Sequence, residues 1–256
     1  MVKKEEIRNI IFAIIILGFV FGFNDGQPTF DAQFWLLNLL RMFFVAAIGV
    51  LVYVAGQKGM AQYLGFETEF SFWGVKRFWF TTEANFPKEM KFLGRQFTMN
   101  AFPIGILIAT LLMLLSNGRL FFPAILGFAL VISHTKRLGK GKFLGATELE
   151  EGKIALAGPL ALLLLVVLFQ ILNGRQIFDE FIFVYSMMAV FQMLPLPGLD
   201  GFKVLIGSPL LYIFSALFIL LAALLLHFLG IITGLLIAAI VALMVFFLYL
   251  YYRVYK

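Results

Sequence analysis

The composition of this 256-residue chain is much more apolar than that of a soluble domain: 62% of its residues are hydrophobic, against about 45–50% in a typical soluble protein. A compact core of this size cannot bury that excess, so we expect lipid to surround much of the surface. The absence of cysteine excludes disulfides, thiolate zinc sites and cysteine nucleophiles. The net charge of +6 lies in short segments between apolar runs, which indicates membrane topology and not nucleic-acid binding.

The N-terminal segment is basic and precedes an apolar run from Ile10 to Phe23. No small-x-small cleavage site follows this run, so we interpret it as an uncleaved first helix and not as a signal peptide. A hydrocarbon core about 30 Å thick needs roughly 20 apolar residues per helix. On this scale the sequence predicts spans near residues 9–23, 34–56, 100–116, 154–173, 178–194, 209–229 and 231–252.

A further apolar run, from Leu120 to Ser133, is short enough to be either a brief crossing or a re-entrant element. We favour a crossing, because eight passes place both termini on one side together with nearly all the Lys and Arg residues. The positive-inside rule then predicts an integral membrane protein whose N- and C-termini are both cytoplasmic. The predicted fold class is an all-α polytopic membrane protein with about seven to eight transmembrane helices.

We expect one membrane domain over residues 1–256, with the first two helices in 9–56, a polar aromatic segment in 57–99 and the remaining helices in 100–252. The polar segment combines aromatic residues such as Phe70 and Trp73 with basic ones. This composition is typical of the headgroup layer, so we interpret the segment as an interfacial loop. The alternative is an edge or sheet that contacts a substrate.

The most unusual local sequence runs from Gln192 to Gly201 and contains Pro195, Pro197 and Asp200. Prolines and glycines directly after a span remove helical hydrogen bonds at membrane depth, where only protein or a water-filled cavity can replace them. A carboxylate in such a segment is costly and is a candidate functional group. The alternative is that Asp200 only caps the helix that follows it.

Residues 194–201, Leu-Pro-Leu-Pro-Gly-Leu-Asp-Gly, resemble the N-x-x-P-x-P-x-L-D-G signature of the site-2 protease family of intramembrane zinc metalloproteases. Residues 151–160 are similar to the family's G-K-x-x-L-A-G-P-L segment, and residues 58–65 to the K-x-x-A-Q-x-x-G that follows H-E-x-x-H in archaeal members. These matches keep the family's order and cover most of 50–205. The resemblance implies a site-2-protease-like core with a broken Pro/Gly-Asp-Gly loop.

The same resemblance implies that Asp200 stands at the position of the third zinc ligand. It also implies that Pro195, Pro197 and Gly201 belong to a binding loop, with Gln192 near the position of the family's substrate-holding Asn. The H-E-x-x-H positions fall on Tyr53, Val54 and Gln57. Zinc hydrolysis needs two imidazoles at i and i+4 with a Glu base beside the first, and these residues supply neither imidazoles nor a base.

The chain has two histidines, His134 and His227, which lie far apart in sequence. We interpret both as structural, and we expect no metal and no cofactor. The alternative is a rearranged zinc site of His134, His227 and Asp200. Arg41, inside the second span, either extends its side chain toward the outer membrane surface or pairs with Asp31 or Asp179.

The favoured hypothesis is therefore a catalytically inactive site-2-protease-like protein, a pseudoprotease without catalytic residues. Its expected partners are the lipid bilayer and transmembrane helices of client proteins or of a membrane complex, and not nucleic acid. Two alternatives stay open. One is an active intramembrane zinc metalloprotease with rearranged ligands, and the other is a transporter or channel component with Asp200 and Arg41 on a polar path.

Overall fold

The computed structural model describes residues 4–75, 101–131, 145–174 and 176–255, together with the backbone of 88–92 and 95–99. The elements in chain order are α1 (Lys4–Gly22), α2 (Ala32–Leu64), β1 (Glu67–Phe72), β2 (Lys88–Phe92), β3 (Arg95–Met99), α3 (Ile104–Leu115), β4 (Leu126–Val131), α4 (Glu148–Leu172), α5 (Asp179–Gln192), α6 (Asp200–Gly207), α7 (Pro209–Phe228) and α8 (Ile231–Tyr255). The predicted helical spans are thus helices, although α3 and α5 are short.

Four of these helices, α2, α4, α7 and α8, are long and apolar enough to cross a membrane. They expose large apolar side chains along their length, among them Leu51, Leu164, Leu224 and Phe247. Apolar surface of this extent is stable against lipid but not against water. The chain is therefore an integral membrane protein.

Helix α2 continues past residue 56, where the sequence was expected to leave the span, and ends at Leu64. Gly56 does not interrupt the helix, because α2 and α4 pack closely at this point: a Cβ added to Gly56 would lie 2.7 Å from the Ala161 Cβ. The helix ends at Gly65, whose φ of 90° is the left-handed conformation that terminates many helices. The extension adds Gln57 and the residues after it to the helix.

The run from Leu120 to Ser133 was expected to be a short crossing or a re-entrant element, and its described part is an irregular stretch with a turn at residues 124–125, followed by β4, and not a helix. Strand β4 pairs antiparallel with β1, with Glu67 opposite Val131 and Phe72 opposite Leu126. Pro123 lacks the N–H that a helix needs, and β1 supplies the hydrogen bonds that the extended backbone requires. An all-helical interior is therefore wrong for this segment.

The segment from Gly118 to Val131 connects opposite ends of the α1–α2 hairpin. At its start Gly118 packs against Asn24, just after α1, and the Asn24 side chain donates to the Asn117 carbonyl at 3.2 Å. At its end Val131 pairs with Glu67, just after α2. Its last six residues form β4, which covers about 20 Å of this distance because a strand rises about 3.3 Å per residue.

The first part of the polar aromatic segment is buried and does not form an interfacial surface. Phe70 in β1 and Trp73 just after it are only 5% and 6% exposed. The interfacial-loop interpretation is therefore wrong for these two residues, because the segment forms a strand whose side chains pack into the core. Residues 76–87, which include Phe78, Trp79 and Phe80, lie outside the described residues.

Helix α4 positions the remaining parts of the core. It packs against α2 on one side and against α5 and α6 on the other. Its glycines allow close approach: a Cβ on Gly152 would lie 3.2 Å from the Lys203 carbonyl of α6. Because α4 packs closely against both α2 and α6, side chains from the middle of α2 can reach those at the start of α6.

Candidate functional site

The predicted site residues of α2 and α6 are joined by hydrogen bonds. The Tyr53 hydroxyl donates to Asp200 Oδ2 at 2.5 Å, and Gln57 Nε2 donates to the same oxygen at 3.1 Å. Gln57 Nε2 also lies 2.9 Å from the Tyr53 hydroxyl oxygen. Tyr53 and Gln57 are one helical turn apart, so both side chains project from the same face of α2. We call these three residues the Asp200 network.

The Asp200 network is closed to solvent: Tyr53 and Asp200 are fully buried and Gln57 is 2% exposed. Asp200 Oδ2 accepts both hydrogen bonds, whereas Asp200 Oδ1 has no hydrogen-bond partner among the described residues. Asp200 opens α6, which is not one of the four membrane-spanning helices. Burial raises the pKa of its carboxyl to about 7, although the positive charge of Lys203 acts in the opposite direction. The buried position therefore favours the protonated form of this carboxyl.

Gly158 makes room for the Tyr53 ring. It belongs to the α4 segment that resembles G-K-x-x-L-A-G-P-L, and a Cβ on Gly158 would lie 2.5 Å and 2.6 Å from two ring carbons of Tyr53. Any side chain at this position would displace the ring from Asp200. The segment therefore shapes the site, and its first residue, Glu151, pairs with Lys203 at 3.2 Å.

The broken segment after α5 satisfies its backbone with side chains from elsewhere. The Trp73 indole N–H donates to the Pro197 carbonyl at 2.8 Å, and the Tyr212 hydroxyl donates to the Met193 carbonyl at 3.2 Å. Gly198, with a φ of 94°, allows the chain to turn beneath Trp73. Pro195 and Pro197 are exposed, whereas Gly201 and Gln192 are buried.

The alternative role of Asp200 as a helix cap is wrong. The N-cap of α6 is Leu199, and no side chain makes a capping hydrogen bond there. The Asp200 side chain points instead to α2, because α4 brings Tyr53 and Gln57 within hydrogen-bonding distance. Its position is thus determined by contacts between helices and not by its own helix.

Two polar side chains beside the network contact one edge of β4. Gln192 Nε2 donates to the Leu126 carbonyl at 3.2 Å, and Lys203 Nζ donates to the Phe128 carbonyl at 3.0 Å. The Trp73 N–H donates to the Ile125 carbonyl next to the β1–β4 pairing, so the carbonyls of Leu126 and Phe128 point to the edge of β4 opposite β1, and these two side chains occupy that edge. Lys203 and Trp73 were not predicted as site residues. Lys203 lies three positions after Asp200, on the same side of α6, which is the signal that could have identified it.

The residues that the resemblance aligns with H-E-x-x-H do not fit a zinc centre. Val54 is 8% exposed and belongs to the hydrophobic core. Its side chain is a hydrocarbon, so it can neither accept a proton nor bind a metal. Tyr53 and Gln57 donate hydrogen bonds to the Asp200 carboxyl, whereas a metal between them would require each side chain to offer a lone pair. Among the described residues there is no group of three or more His, Asp or Glu side chains that could hold a metal ion.

His227 does not complete the site. His227 lies in the last turn of α7, beside Phe183 and Ser186. Helix α7 begins directly after α6, so roughly 27 Å of helix separate His227 from the end of α6. His227 is therefore not placed to share a metal with Asp200, and His134 lies outside the described residues.

Arg41 pairs with Glu180 at 2.8 Å, so the prediction that it pairs with Asp31 or Asp179 is wrong. Both of those carboxylates are engaged locally: Asp31 accepts from the Gln33 N–H at the start of α2, and Asp179 accepts from the Asn173 side chain. The Arg41 and Glu180 side chains are each close to half exposed. The pair therefore links α2 to α5 at the surface, away from the Asp200 network.

No family model matches this chain, and no curated protein or solved structure matches it. The function is therefore inferred from the geometry of the Asp200 network and from the segments that surround it.

Proposed function

We propose that this chain is a pseudoprotease with a site-2-protease-like core, which binds transmembrane segments of client proteins, or of a membrane complex, without cleaving them. The observation that carries the proposal is the Asp200 network. In a zinc centre, two imidazoles at i and i+4 would face this carboxyl and share a metal with it. Here a phenol and an amide donate to the same carboxyl oxygen, which replaces metal coordination by hydrogen bonds.

The missing base supports the loss of hydrolysis. A zinc-bound water must transfer a proton during attack on a peptide bond, and a Glu between the two ligands normally accepts it. Val54 stands at that position and is packed in the core. An active protease with rearranged ligands would need another base, and the Asp200 carboxyl oxygen nearest to α2 is already engaged by two donors.

The surroundings of the network support client binding. A transmembrane segment that unwinds beside the broken segment needs new partners for its backbone. The exposed residues 195–198 offer backbone groups at this point. Leu196 is 38% exposed and Trp73 lies beneath the loop. An unwound client segment can form main-chain hydrogen bonds with these exposed groups.

We further propose that the chain makes eight passes and that both termini are cytoplasmic. The route of the segment before β4 supports this count, because it returns from the Asn24 end of α1 to the Glu67 end of α2. The eighth pass then consists of an irregular stretch followed by β4, and not of helix. The excess of Lys and Arg on the side of the termini supports the orientation.

Metal binding tests the first half of the proposal. The triple variant Tyr53→His, Val54→Glu, Gln57→His presents two imidazoles to Asp200, so the purified protein is expected to gain about one zinc per chain, whereas the parent chain gains none. Adding Asp200→Asn is the matched control, and it is expected to remove most of that zinc. One zinc per chain in the unchanged protein, measured by elemental analysis, would refute the proposal.

Client binding is tested in vesicles with two synthetic transmembrane peptides, one with a central Gly-Pro break and one uniformly helical. A photoreactive side chain at position 196 is expected to cross-link the breakable peptide preferentially. The control places the same group at Leu243, which α8 exposes to lipid. Equal cross-linking from both positions, or to both peptides, would contradict client binding at the broken segment.

A further inference from the structure

Glu6 is a buried carboxylate that the Asp200 network does not use. It lies in the first turn of α1 and is only 4% exposed, whereas its neighbour Glu5 is exposed. Its Oε1 atom pairs with Lys58 Nζ of α2 at 2.6 Å and accepts a hydrogen bond from the Phe70 N–H of β1 at 3.0 Å. A carboxylate is costly to bury unless it is paired and hydrogen-bonded, and both conditions are met here. Glu6 therefore joins α1, α2 and β1 at one oxygen atom.

The Phe70 N–H points away from β4. The Trp73 N–H donates to the Ile125 carbonyl at 2.9 Å, and backbone groups alternate between the two sides of a strand, so those of Phe70 point to the opposite side. Phe70 is 5% exposed, so its N–H needs a partner inside the protein. Glu6 thus supplies the acceptor that a third strand would otherwise supply at this edge of β1.

The other edge of the sheet is held by α6. Phe70 lies directly opposite Phe128 in the β1–β4 register, and the Phe128 carbonyl accepts from Lys203 Nζ at 3.0 Å. The sheet is therefore fixed by side chains at both edges: to α6 through Lys203, and to α1 and α2 through Glu6 and its partner. Because the Asp200 network joins α2 and α6 directly, the sheet is a second bridge between the same two helices.

The sheet also carries Trp73, whose indole N–H donates to the Pro197 carbonyl of the broken segment at 2.8 Å. Trp73 lies three residues after Phe70 and is hydrogen-bonded into the sheet through its own N–H, so it moves with the sheet. Without the Glu6 contact, β1 would keep its pairing with β4 but lose this connection to α1 and α2. The position of Trp73 beneath the broken segment would then be less well defined.

We propose that Glu6 is a positioning residue for the broken segment: it fixes the β1–β4 sheet against α1 and α2 and thereby keeps Trp73 in hydrogen-bonding contact with Pro197. The essential property is an acceptor oxygen at the end of a side chain of this length, because that oxygen must reach the Phe70 N–H. The importance of this contact for client binding rests on the proposed function, whereas the control of Trp73 by Glu6 does not.

Tryptophan fluorescence of the full chain in mild detergent tests the control of Trp73. The chain has three tryptophans, so Trp35→Phe combined with Trp79→Phe leaves Trp73 as the only one. In this background Glu6→Gln keeps the length and the acceptor oxygen, and it should leave the emission maximum and the acrylamide quenching unchanged. Glu6→Asp keeps the charge but is one methylene shorter. It should shift the emission to longer wavelength and increase quenching, because the buried indole becomes more accessible.

Glu180→Asp is the matched control, because Glu180 also pairs with a basic residue of α2 but does so at the protein surface. Tyr185→Phe is a second control, which removes a buried hydrogen bond between α5 and α2. Both should leave Trp73 fluorescence unchanged. Equal fluorescence of Glu6→Gln and Glu6→Asp would overturn the proposal. A shift of the same size in Tyr185→Phe would also overturn it, because general loosening of the fold would then explain the effect.

Cross-linking from position 196 tests the importance of Glu6 for client binding. Glu6→Asp is expected to reduce capture of the breakable peptide about fivefold, as the loss of one hydrogen bond at the broken segment predicts, and Glu6→Gln should capture it normally. If the unchanged protein captures both peptides equally, client binding itself is refuted, and Trp73 fluorescence still decides the role of Glu6. A shift in Trp73 emission with undiminished capture would overturn the role of Glu6 in client binding.

Discussion

Removing the Tyr53 hydroxyl gives a direct measure of the Asp200 network. In Tyr53→Phe the ring still fills the space beside Gly158, so the change removes one hydrogen bond without creating a cavity. Asp200 Oδ2 then keeps only the Gln57 amide as a donor. Hydrogen bonds to a charged group contribute about 1.5–3 kcal/mol, and neutral ones about 1 kcal/mol.

The expected cost therefore depends on pH. Above the Asp200 pKa of about 7 the carboxyl is ionised, so Tyr53→Phe should lower the free energy of unfolding by about 2 kcal/mol at pH 8.5. At pH 5 the carboxyl is protonated, and the cost should fall to about 1 kcal/mol. The measurement is unfolding in mixed micelles, followed by tryptophan fluorescence.

Tyr185→Phe is the matched control. Tyr185 is also fully buried, and its hydroxyl donates at 3.1 Å to the neutral Val45 carbonyl. This variant should lose about 1 kcal/mol at both pH values. A double-mutant cycle of Tyr53→Phe with Asp200→Asn should give a coupling energy well above zero. Equal losses for the two tyrosine variants at pH 8.5, or no coupling, would refute the hydrogen-bond geometry.

Two further predictions concern the same site. Because the pKa of Asp200 is raised from 3.8 to about 7, its contribution to stability is fully present below pH 3.8 and is lost as the pH rises through 7. The free energy of unfolding should fall by at most about 1.4 kcal/mol per pH unit in this range. Unfolding curves from pH 4 to 8 should show this fall in the unchanged protein and not in Asp200→Asn, and a parallel fall in both would contradict the prediction. Gly158→Ala should lower the free energy of unfolding by about 1–3 kcal/mol, because its Cβ would overlap the Tyr53 ring. The control Gly174→Ala has open space around it and should change the free energy of unfolding by no more than about 0.5 kcal/mol. Equal melting temperatures for the two variants would show that the ring tolerates the methyl group.

The resemblance aligned Tyr53, Gln57 and Asp200 with the three ligand positions of one zinc site, and these side chains do lie together although they are more than 140 positions apart. The prediction came from aligning three short segments, since no local pattern links α2 to α6. Hydrophobic run length also located the helices, because lipid demands long apolar segments with internal hydrogen bonds.

The sequence could not predict the strand over Leu126–Val131 in the same way. A short apolar run suits a strand, a buried helix and a membrane crossing equally well, and its state depends on whether a second strand is available. That second strand, β1, lay in a segment whose aromatic residues indicated a membrane surface. Phe70 and Trp73 are buried because α1, β4 and the broken segment cover them, which composition alone does not reveal.

The Asp200 network also constrains how this chain can change over evolutionary time. A single substitution of Tyr53 or Gln57 by histidine disturbs the hydrogen bonds to Asp200 while supplying only one imidazole, which is too few to hold a metal with Asp200. Each first step toward a metal centre therefore perturbs a buried contact without creating a metal site. The hydrogen bonds that stabilise this core thus oppose the stepwise appearance of a metal centre.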